Sequence, residues 1–255
     1  MGRVGTASAP QPREGTPAAP ELLAPGSTWR LEAPLDLFSR PTGSGLATQA
    51  APGRNLRILK SAPGVTRLRV RLAEDGYPGW LEPCQLMGRG RAAPVPSLAR
   101  LSRAEIGDRV EQVLAFALTA MGVPNSYLWG GTVGPNYDCS GLVQSAFASV
   151  GIWLPRDAYL QERFCRPVAV RPGVTQLLEP GDLMFFGTAR RCTHVGLHLS
   201  GGRYLHSSGR EHGRNGLGID NLNPRNDDPV ASHYRTELRG AGRVMHSHDG
   251  SPLPA

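Results

Sequence analysis

Between Ser27 and Leu86 the apolar residues come in short alternations: Leu35-Asp-Leu-Phe38, Leu56-Arg-Ile-Leu59 and Leu68-Arg-Val-Arg-Leu72. Successive side chains of a strand point to opposite faces, so each run predicts a half-buried strand. Glu74-Asp-Gly-Tyr-Pro-Gly-Trp80-Leu81 reads as a turn running into a further strand. Strands this short and closely spaced predict a small all-β barrel over residues 26–90. Beyond a linker placed at 91–102, which holds Ala92-Ala-Pro-Val-Pro96, the period changes. Ser102-Arg-Ala-Glu105 is a capping box that opens a helix, and Val110, Val113, Leu114, Ala117 and Leu118 continue it at helical spacing to Gly122-Val-Pro124. Leu142, Val143, Ala146, Phe147 and Val150 predict a second helix from Cys139 to Val150, stopped by Gly151. Three strand-like segments follow: Asp182-Leu-Met-Phe-Phe186, His194-Val-Gly-Leu-His-Leu199 and Arg203-Tyr-Leu-His206. Helices followed by adjacent strands predict an α+β domain with an antiparallel sheet over residues 103–245. The Ala- and Pro-rich residues 1–25 predict a disordered tail, and polar residues 246–255 a loose one.

Composition narrows the function. The formal charge is +7, carried almost wholly by arginine, with Lys60 the single lysine. The arginines are scattered rather than gathered on one block or helix face, so nucleic acid is not an expected partner. No apolar run approaches the ~20 residues of a membrane span. The opening Met-Gly-Arg-Val-Gly-Thr-Ala has no apolar signal-type stretch, which makes the cytoplasm the expected compartment. Cys84, Cys139, Cys165 and Cys192 show neither CxxC nor CxxH spacing, so neither a metal site nor a disulfide framework is expected.

Cys139 is the candidate for chemistry. At a helix start, free backbone N–H groups and the helix dipole favour a thiolate. The plainer alternative is a small buried hydrophobe, the commonest fate of a free cysteine. A reactive thiol also needs a base. His194 opens one strand and His206 closes the next, and a hairpin through Ser200-Gly-Gly202 makes the two neighbours. One can take the thiol proton while the other orients it. His198, four residues along the same strand, projects from the same face and competes for the role of base. His212, His233, His246 and His248 lie in polar contexts that suit solvated side chains. A metal held by Cys139, His194 and His206 would lack a fourth protein ligand.

Six motifs run in order: Tyr127-Leu-Trp-Gly-Gly131, Asp138-Cys-Ser-Gly-Leu-Val143, Leu154-Pro-Arg-Asp157, Pro180-Gly-Asp-Leu183, Thr193-His-Val-Gly196 and His206-Ser-Ser-Gly209. In this order over residues 103–245 the chain resembles the NlpC-type papain-like cysteine peptidases of bacterial cell walls. The N-terminal barrel resembles the bacterial SH3-like domain many of them carry. The resemblance is nearest to γ-D-glutamyl-diamino acid endopeptidases, supported by Leu154-Pro-Arg-Asp-Ala158 and Arg239-Gly-Ala-Gly-Arg243. It implies a papain-like α+β catalytic domain after an SH3-like barrel, with Cys139 as nucleophile, His194 as general base and His206 as the residue orienting it. It implies no cofactor, and a murein peptide, L-Ala-γ-D-Glu-diamino acid, as substrate. The substrate's free amino end would be held by Asp138 and Ser140, with Tyr77, Glu74 and Asp157 as further candidates. An ammonium leaving water needs a carboxylate and other acceptors, and a site built of them rejects an acylated amine.

Each of these residues also has a structural reading. Asp138 can cap a helix, Asp157 a turn, and Glu74-Asp75 can be a solvated turn. Trp80 suits the barrel core and Trp129 packing beneath the active site. His198 departs from the family pattern, and the first 25 residues have no counterpart in it.

Overall fold

The computed structural model describes residues 12–60 and 66–253, which form two compact units meeting between Leu98 and Ala99. In the first, seven strands form one antiparallel sheet: β1 (Thr28–Leu31), β2 (Leu35–Phe38), β3 (Leu46–Ala50), β4 (Asn55–Lys60), β5 (Leu68–Leu72), β6 (Pro78–Leu81) and β7 (Gly90–Ala92), in the order β3-β2-β6-β5-β4-β1-β7. The alternation decides what is buried: Leu68, Val70 and Leu72 of β5 face inward against Leu56 and Ile58 of β4. Trp29 fills the centre and donates its indole N–H to Ser27 Oγ at 2.9 Å. Trp80, expected in this core, is only half-buried, with the Arg69 guanidinium 5.3 Å from its ring centroid. The short helix α1 (Pro83–Leu86) leads into β7, which extends the barrel past residue 90 into the predicted linker.

The expected N-terminal disorder is corrected over residues 12–25; residues 1–11 lie outside the described part. Gly15 N–H donates to Ala92 O at 2.8 Å, Ala92 N–H to Thr16 O at 2.8 Å, and Ala18 N–H to Gly90 O at 2.9 Å. Ala18 and Leu23 are buried in the barrel core. The backbone of β7 supplies partners that the local composition does not reveal, and two apolar residues suffice to seat the strap.

The second unit begins with α2 (Arg103–Gly107), whose N-terminus is the Ser102–Glu105 capping box, and α3 (Val110–Met121). The predicted single helix is therefore two, parted at Asp108–Arg109. A two-strand ribbon, β8 (Thr132–Val133) and β9 (Asn136–Tyr137), precedes α4 (Cys139–Ala148), and α5 (Ala158–Phe164) follows. Strands β10 (Arg166–Val168), β11 (Leu183–Gly187), β12 (Cys192–Ser200), β13 (Arg203–Ser208), β14 (Gly216–Asn221) and β15 (Leu238–Arg243) form an antiparallel sheet ordered β10-β15-β11-β12-β13-β14. Helix α6 (Pro229–Thr236) lies between β14 and β15 in sequence. Both sheet faces are covered, which is why β11 reads as an unbroken apolar run. Leu183 and Phe185 join the core with Leu142, Val143 and Phe147 of α4, while Met184 and Phe186 pack with Tyr204, Val230 and Tyr234.

The loose C-terminal tail is likewise corrected through residue 253. Trp153 N–H donates to Ser247 Oγ at 2.9 Å, His248 N–H to Trp153 O at 2.8 Å, and the His246 ring lies 4.5 Å from that of Phe164. His248 is buried rather than solvated.

Candidate active site

The site starts from the cap of α4. Asp138 is extended, and its Oδ1 accepts from Gly141 N–H at 2.6 Å. Arg156 closes on the same carboxylate from two sides, Nη1 to Oδ1 at 3.0 Å and Nη2 to Oδ2 at 2.6 Å, and Gly130 N–H reaches Oδ2 at 2.8 Å. Ser140 Oγ accepts from Arg156 Nη1 at 2.9 Å, and the Ser140 carbonyl accepts from Gln161 Nε2 at 3.1 Å. The first turn of α4 is thus pinned by a buried, charge-assisted network. Gly141 leaves room for it: a Cβ there would run into the Gly131 carbonyl oxygen.

Cys139 occupies the first helical position and is buried. Its sulfur accepts from the backbone N–H groups of Ser140 and of Val195, the residue after His194. Loss of water, then the Asp138 charge, pushes the thiol up to about 12, against the pull of those N–H groups and of Arg156. The helix start is expected to favour a thiolate, and in the fold a second, opposing effect acts on Cys139. Burial outweighs the helix start, so the Cys139 thiol holds its proton more tightly than a cysteine in water does.

Two strands and their neighbour supply the means. His194 pairs with Phe186 across β12 and β11, and stacks on the Tyr234 ring of α6 with centroids 4.2 Å apart. His194 Nε2 lies 2.7 Å from His206 Nδ1, and His206 Nε2 lies 2.6 Å from Asp220 Oδ2 on β14. Arg214 Nη2 donates to both Asp220 oxygens, at 2.9 and 2.8 Å. Burial would raise the Asp220 carboxyl, but the His206 hydrogen bond and charge, with Arg214, outweigh it and hold the group below its usual value. Burial drives the other two members towards neutrality: His194 sits well below the ordinary imidazole value, with His206 adding to the effect. His206 is lowered too, although Asp220 pulls it back. The tautomers follow. An ionised Asp220 only accepts, so His206 Nε2 carries the proton, His206 Nδ1 accepts, and His194 Nε2 donates. His194 Nδ1 is then the nitrogen with a free lone pair.

The competing histidine, His198, has both ring nitrogens engaged. His198 is buried with Nδ1 2.8 Å from Glu179 O, in the loop before β11, and its Nε2 accepts Gly202 N–H in the β12–β13 hairpin. Asp138 and Ser140 lie beside Cys139 but are already engaged, as described. Asp157, half-exposed, precedes α5 without capping it through its side chain. Glu74 is corrected as a solvated turn. It is buried in the N-terminal unit, 3.1 Å from Arg54 Nε, and accepts from Asn55 N–H at 2.6 Å and Asn55 Nδ2 at 3.1 Å. Asp75 holds Arg54 Nη2 at 2.9 Å, so this acidic pair neutralises a buried guanidinium. Tyr77, half-buried, stands in the same turn, where its N–H donates to Asp75 Oδ1 at 3.0 Å. Trp129 is corrected too: it is 73% exposed. A turn closed by Gly131 N–H to Leu128 O at 2.9 Å, with Gly130 at φ 81°, faces the Gly130 N–H to Asp138 and leaves Trp129 outside.

Four participants escaped the sequence reading: Arg156, Asp220, Arg214 and Tyr234. Arg156 lay in one of the six motifs, but its partner Asp138 is 18 residues away, so its role could not be read locally. Asp220 and Arg214 lie in a glycine-rich stretch with no periodicity, and Tyr234 on a polar helix.

A cysteine at a helix start, a buried histidine pair and an antiparallel sheet define a papain-like cysteine-type hydrolase. Residues 124–235 match the NlpC/P60 family, and residues 37–86 match the bacterial dipeptidyl-peptidase Sh3 domain. The chain is 32% identical over 188 residues to the peptidoglycan endopeptidase RipB of Mycobacterium tuberculosis, covering 66% of this chain and 74% of RipB. It is 36% identical over 100 residues to a γ-D-glutamyl-L-lysine dipeptidyl-peptidase of Bacillus subtilis, covering 38% of this chain and 31% of that protein. The crystal structure of an NlpC/P60 family protein from Bacillus cereus aligns with 86% of this chain and 64% of its own, at 22% identity and a TM-score of 0.43. The chain belongs to the NlpC/P60 family of peptidases and carries an SH3-type domain before the catalytic one.

Proposed function

We propose that this protein hydrolyses the γ-D-Glu to diamino acid bond of murein peptides, with Cys139 as nucleophile and His194 as base. The observation that carries the reading is the hydrogen-bonded His194–His206 pair, set on the strand whose Val195 N–H reaches the Cys139 sulfur, with His194 Nδ1 as the nitrogen that His206 does not engage. The Cys139 thiol gives its proton to His194 Nδ1 as sulfur attacks the γ-carbonyl carbon. Negative charge moves to the carbonyl oxygen, for which the Cys139 N–H at the helix start is the proposed donor. The C–N bond then breaks, the amine leaves with the proton from His194, and a thioester remains. Water, deprotonated by the same imidazole, attacks the thioester and releases Cys139.

Burial, which raises the Cys139 thiol and lowers His194, suits this sequence. Charge is created only as the bonds change, and the His206 lone pair stabilises the imidazolium as it forms. Selection of a free N-terminal L-Ala is part of the proposal. It is supported by the dipeptidyl-peptidase Sh3 match and by the named activity of the Bacillus subtilis relative. A dipeptidyl-peptidase cuts two residues from a free amino end, here L-Ala-D-Glu. Asp157 and Tyr77 remain candidates for the ammonium, together with Ser140. Asp138 can join them only by sharing a carboxylate that Arg156 already grips. Trimming of free murein peptides in cell-wall recycling is the role this specificity fits.

The test is mass spectrometry of free and Nα-acetylated L-Ala-γ-D-Glu-diamino acid tripeptides incubated with the protein. Release of L-Ala-D-Glu from the free peptide, its loss on acetylation, and a fall of about a thousandfold or more in Cys139→Ala are expected. Undiminished activity in Cys139→Ala would overturn the mechanism, and equal cleavage of the acetylated peptide would overturn the specificity.

A further inference from the structure

The hydrogen-bond chain does not end at His206. Asp220 is buried, accepts from His206 at 2.6 Å, and is itself gripped by Arg214. Strand register brings it there: Tyr204 pairs with Asp220 and His206 with Gly218, so Asp220 is the diagonal neighbour of His206 across β13 and β14. Gly218 completes the seat. Arg214 lies across it, and a Cβ at that position would collide with the guanidinium.

We propose that Asp220 is a positioning residue of the active site, which acts through His206 to fix the nitrogen of His194 that receives the Cys139 proton. This rests on the assignment of Cys139 and His194 given above and extends it by one link. A carboxylate at His206 Nε2 forces the proton onto that nitrogen and turns Nδ1 into an acceptor. His194 must then donate through Nε2 and keep Nδ1 free. When His194 becomes imidazolium, its extra charge is felt by Asp220 through the neutral His206 ring, and no proton needs to move beyond His194. Arg214 opposes this by drawing on the same carboxylate, so the pair sets a balance. Other groups face the imidazoles. Cys139 comes from α4, Tyr204 from β13, His212 from the turn at Arg210–His212, and His233 and Tyr234 from α6. None of these is hydrogen-bonded to His206, whereas Asp220 is.

Two substitutions pull the balance in opposite directions. Asp220→Asn removes the charge that stabilises the imidazolium, so the acid limb of activity, where His194 must be unprotonated, moves to lower pH. Gly218→Ala keeps every titratable group, and its φ is not in the left-handed region, but its methyl pushes Arg214 off Asp220. The same limb then moves to higher pH. Loss of a residue that directly orients a catalytic histidine costs up to about 10⁴ in kcat, so about ten- to a hundredfold is expected for Asp220→Asn, acting one bond further out, with KM little changed.

The measurement uses the full chain and needs no substrate. Iodoacetamide labelling of the peptide carrying Cys139 is followed against pH, and the His194 tautomer is read from its ¹⁵N shifts. The wild type is expected to show the Nε2–H tautomer and an acid limb that disappears in His194→Ala. A limb that survives in His194→Ala overturns the assignment of the base itself. A limb that depends on His194 but stays fixed in both Asp220→Asn and Gly218→Ala overturns only the role of Asp220. So does an Nδ1–H tautomer in the wild type, or movement of both limbs in one direction.

Discussion

At the scale of single residues, the molecule spends charge on holding its nucleophile still. Asp138 takes hydrogen bonds from Gly130, Gly141 and both terminal nitrogens of Arg156, and Asp138 and Arg156 are both buried. Breaking one side of a buried ion pair leaves the other uncompensated. Asp138→Ala is therefore expected to cost about 3–5 kcal/mol in urea unfolding, more than the ~1 kcal/mol of a lost helix cap. The double change Asp138→Ala with Arg156→Met should cost less than the sum of the singles by about 1–3 kcal/mol. Additive costs would show that the pair is no network. The cap was legible in the sequence, because an acidic residue before a helical apolar period has few other uses. The ion pair was not, since 18 residues separate its members and only the fold brings them together. Glu74 shows the opposite limit. Its sequence context suited a solvated or substrate-facing turn, and what decided its role was a buried arginine in the turn before β4.

At the scale of elements, legibility followed period. Helix α4 and strands β11 and β12 carry strong patterns and were foreseen, and so was the hairpin that makes His194 and His206 neighbours. Strand β14, Gly-Leu-Gly-Ile-Asp-Asn, was missed: its buried face is Gly216, Gly218 and Asp220, and its two apolar residues, Leu217 and Ile219, are too few to set a period. Asp220 went with it. Another glycine makes an element-level prediction. In a helix, Gly→Ala ordinarily stabilises by up to about 1 kcal/mol, since alanine loses less backbone freedom. At Gly141 the sign reverses, because the added methyl meets the Gly131 carbonyl, which is backbone and cannot rotate away. Gly141→Ala is expected to lower the thermal midpoint and to shift α4 outward, carrying Cys139 off the Val195 N–H. Peptidase activity should then fall by more than the loss of folded protein, measured by circular dichroism, accounts for. A stabilised, fully active variant would show that the turn and the helix start are not in the close approach described.

At the scale of the whole chain, each unit has a complete interior. Trp29, Leu37, Leu56 and Val70 close the N-terminal core, while Val143, Phe147, Val195 and Leu205 anchor the catalytic one, and the cores share no residue. The charge network of the proposed active site, from Asp138 and Arg156 to His206 and Asp220, lies wholly within residues 99–255. A chain of residues 99–255 is therefore expected to fold alone, with a cooperative thermal transition, and to keep the pH-dependent alkylation of Cys139. What it is expected to lose is selection. The N-terminal unit is the one that matches a dipeptidyl-peptidase Sh3 domain, so the isolated catalytic unit is expected to cleave free and Nα-acetylated tripeptides at similar low rates. The full chain should strongly prefer the free one. Binding energy from a remote contact is realised at the reacting bond, so the difference belongs in kcat/KM for the free peptide. A truncated unit that keeps the full preference would place amine recognition entirely within the catalytic unit, at Asp138, Ser140 and Asp157. One that fails to label at Cys139 would show that the second core does not stand alone.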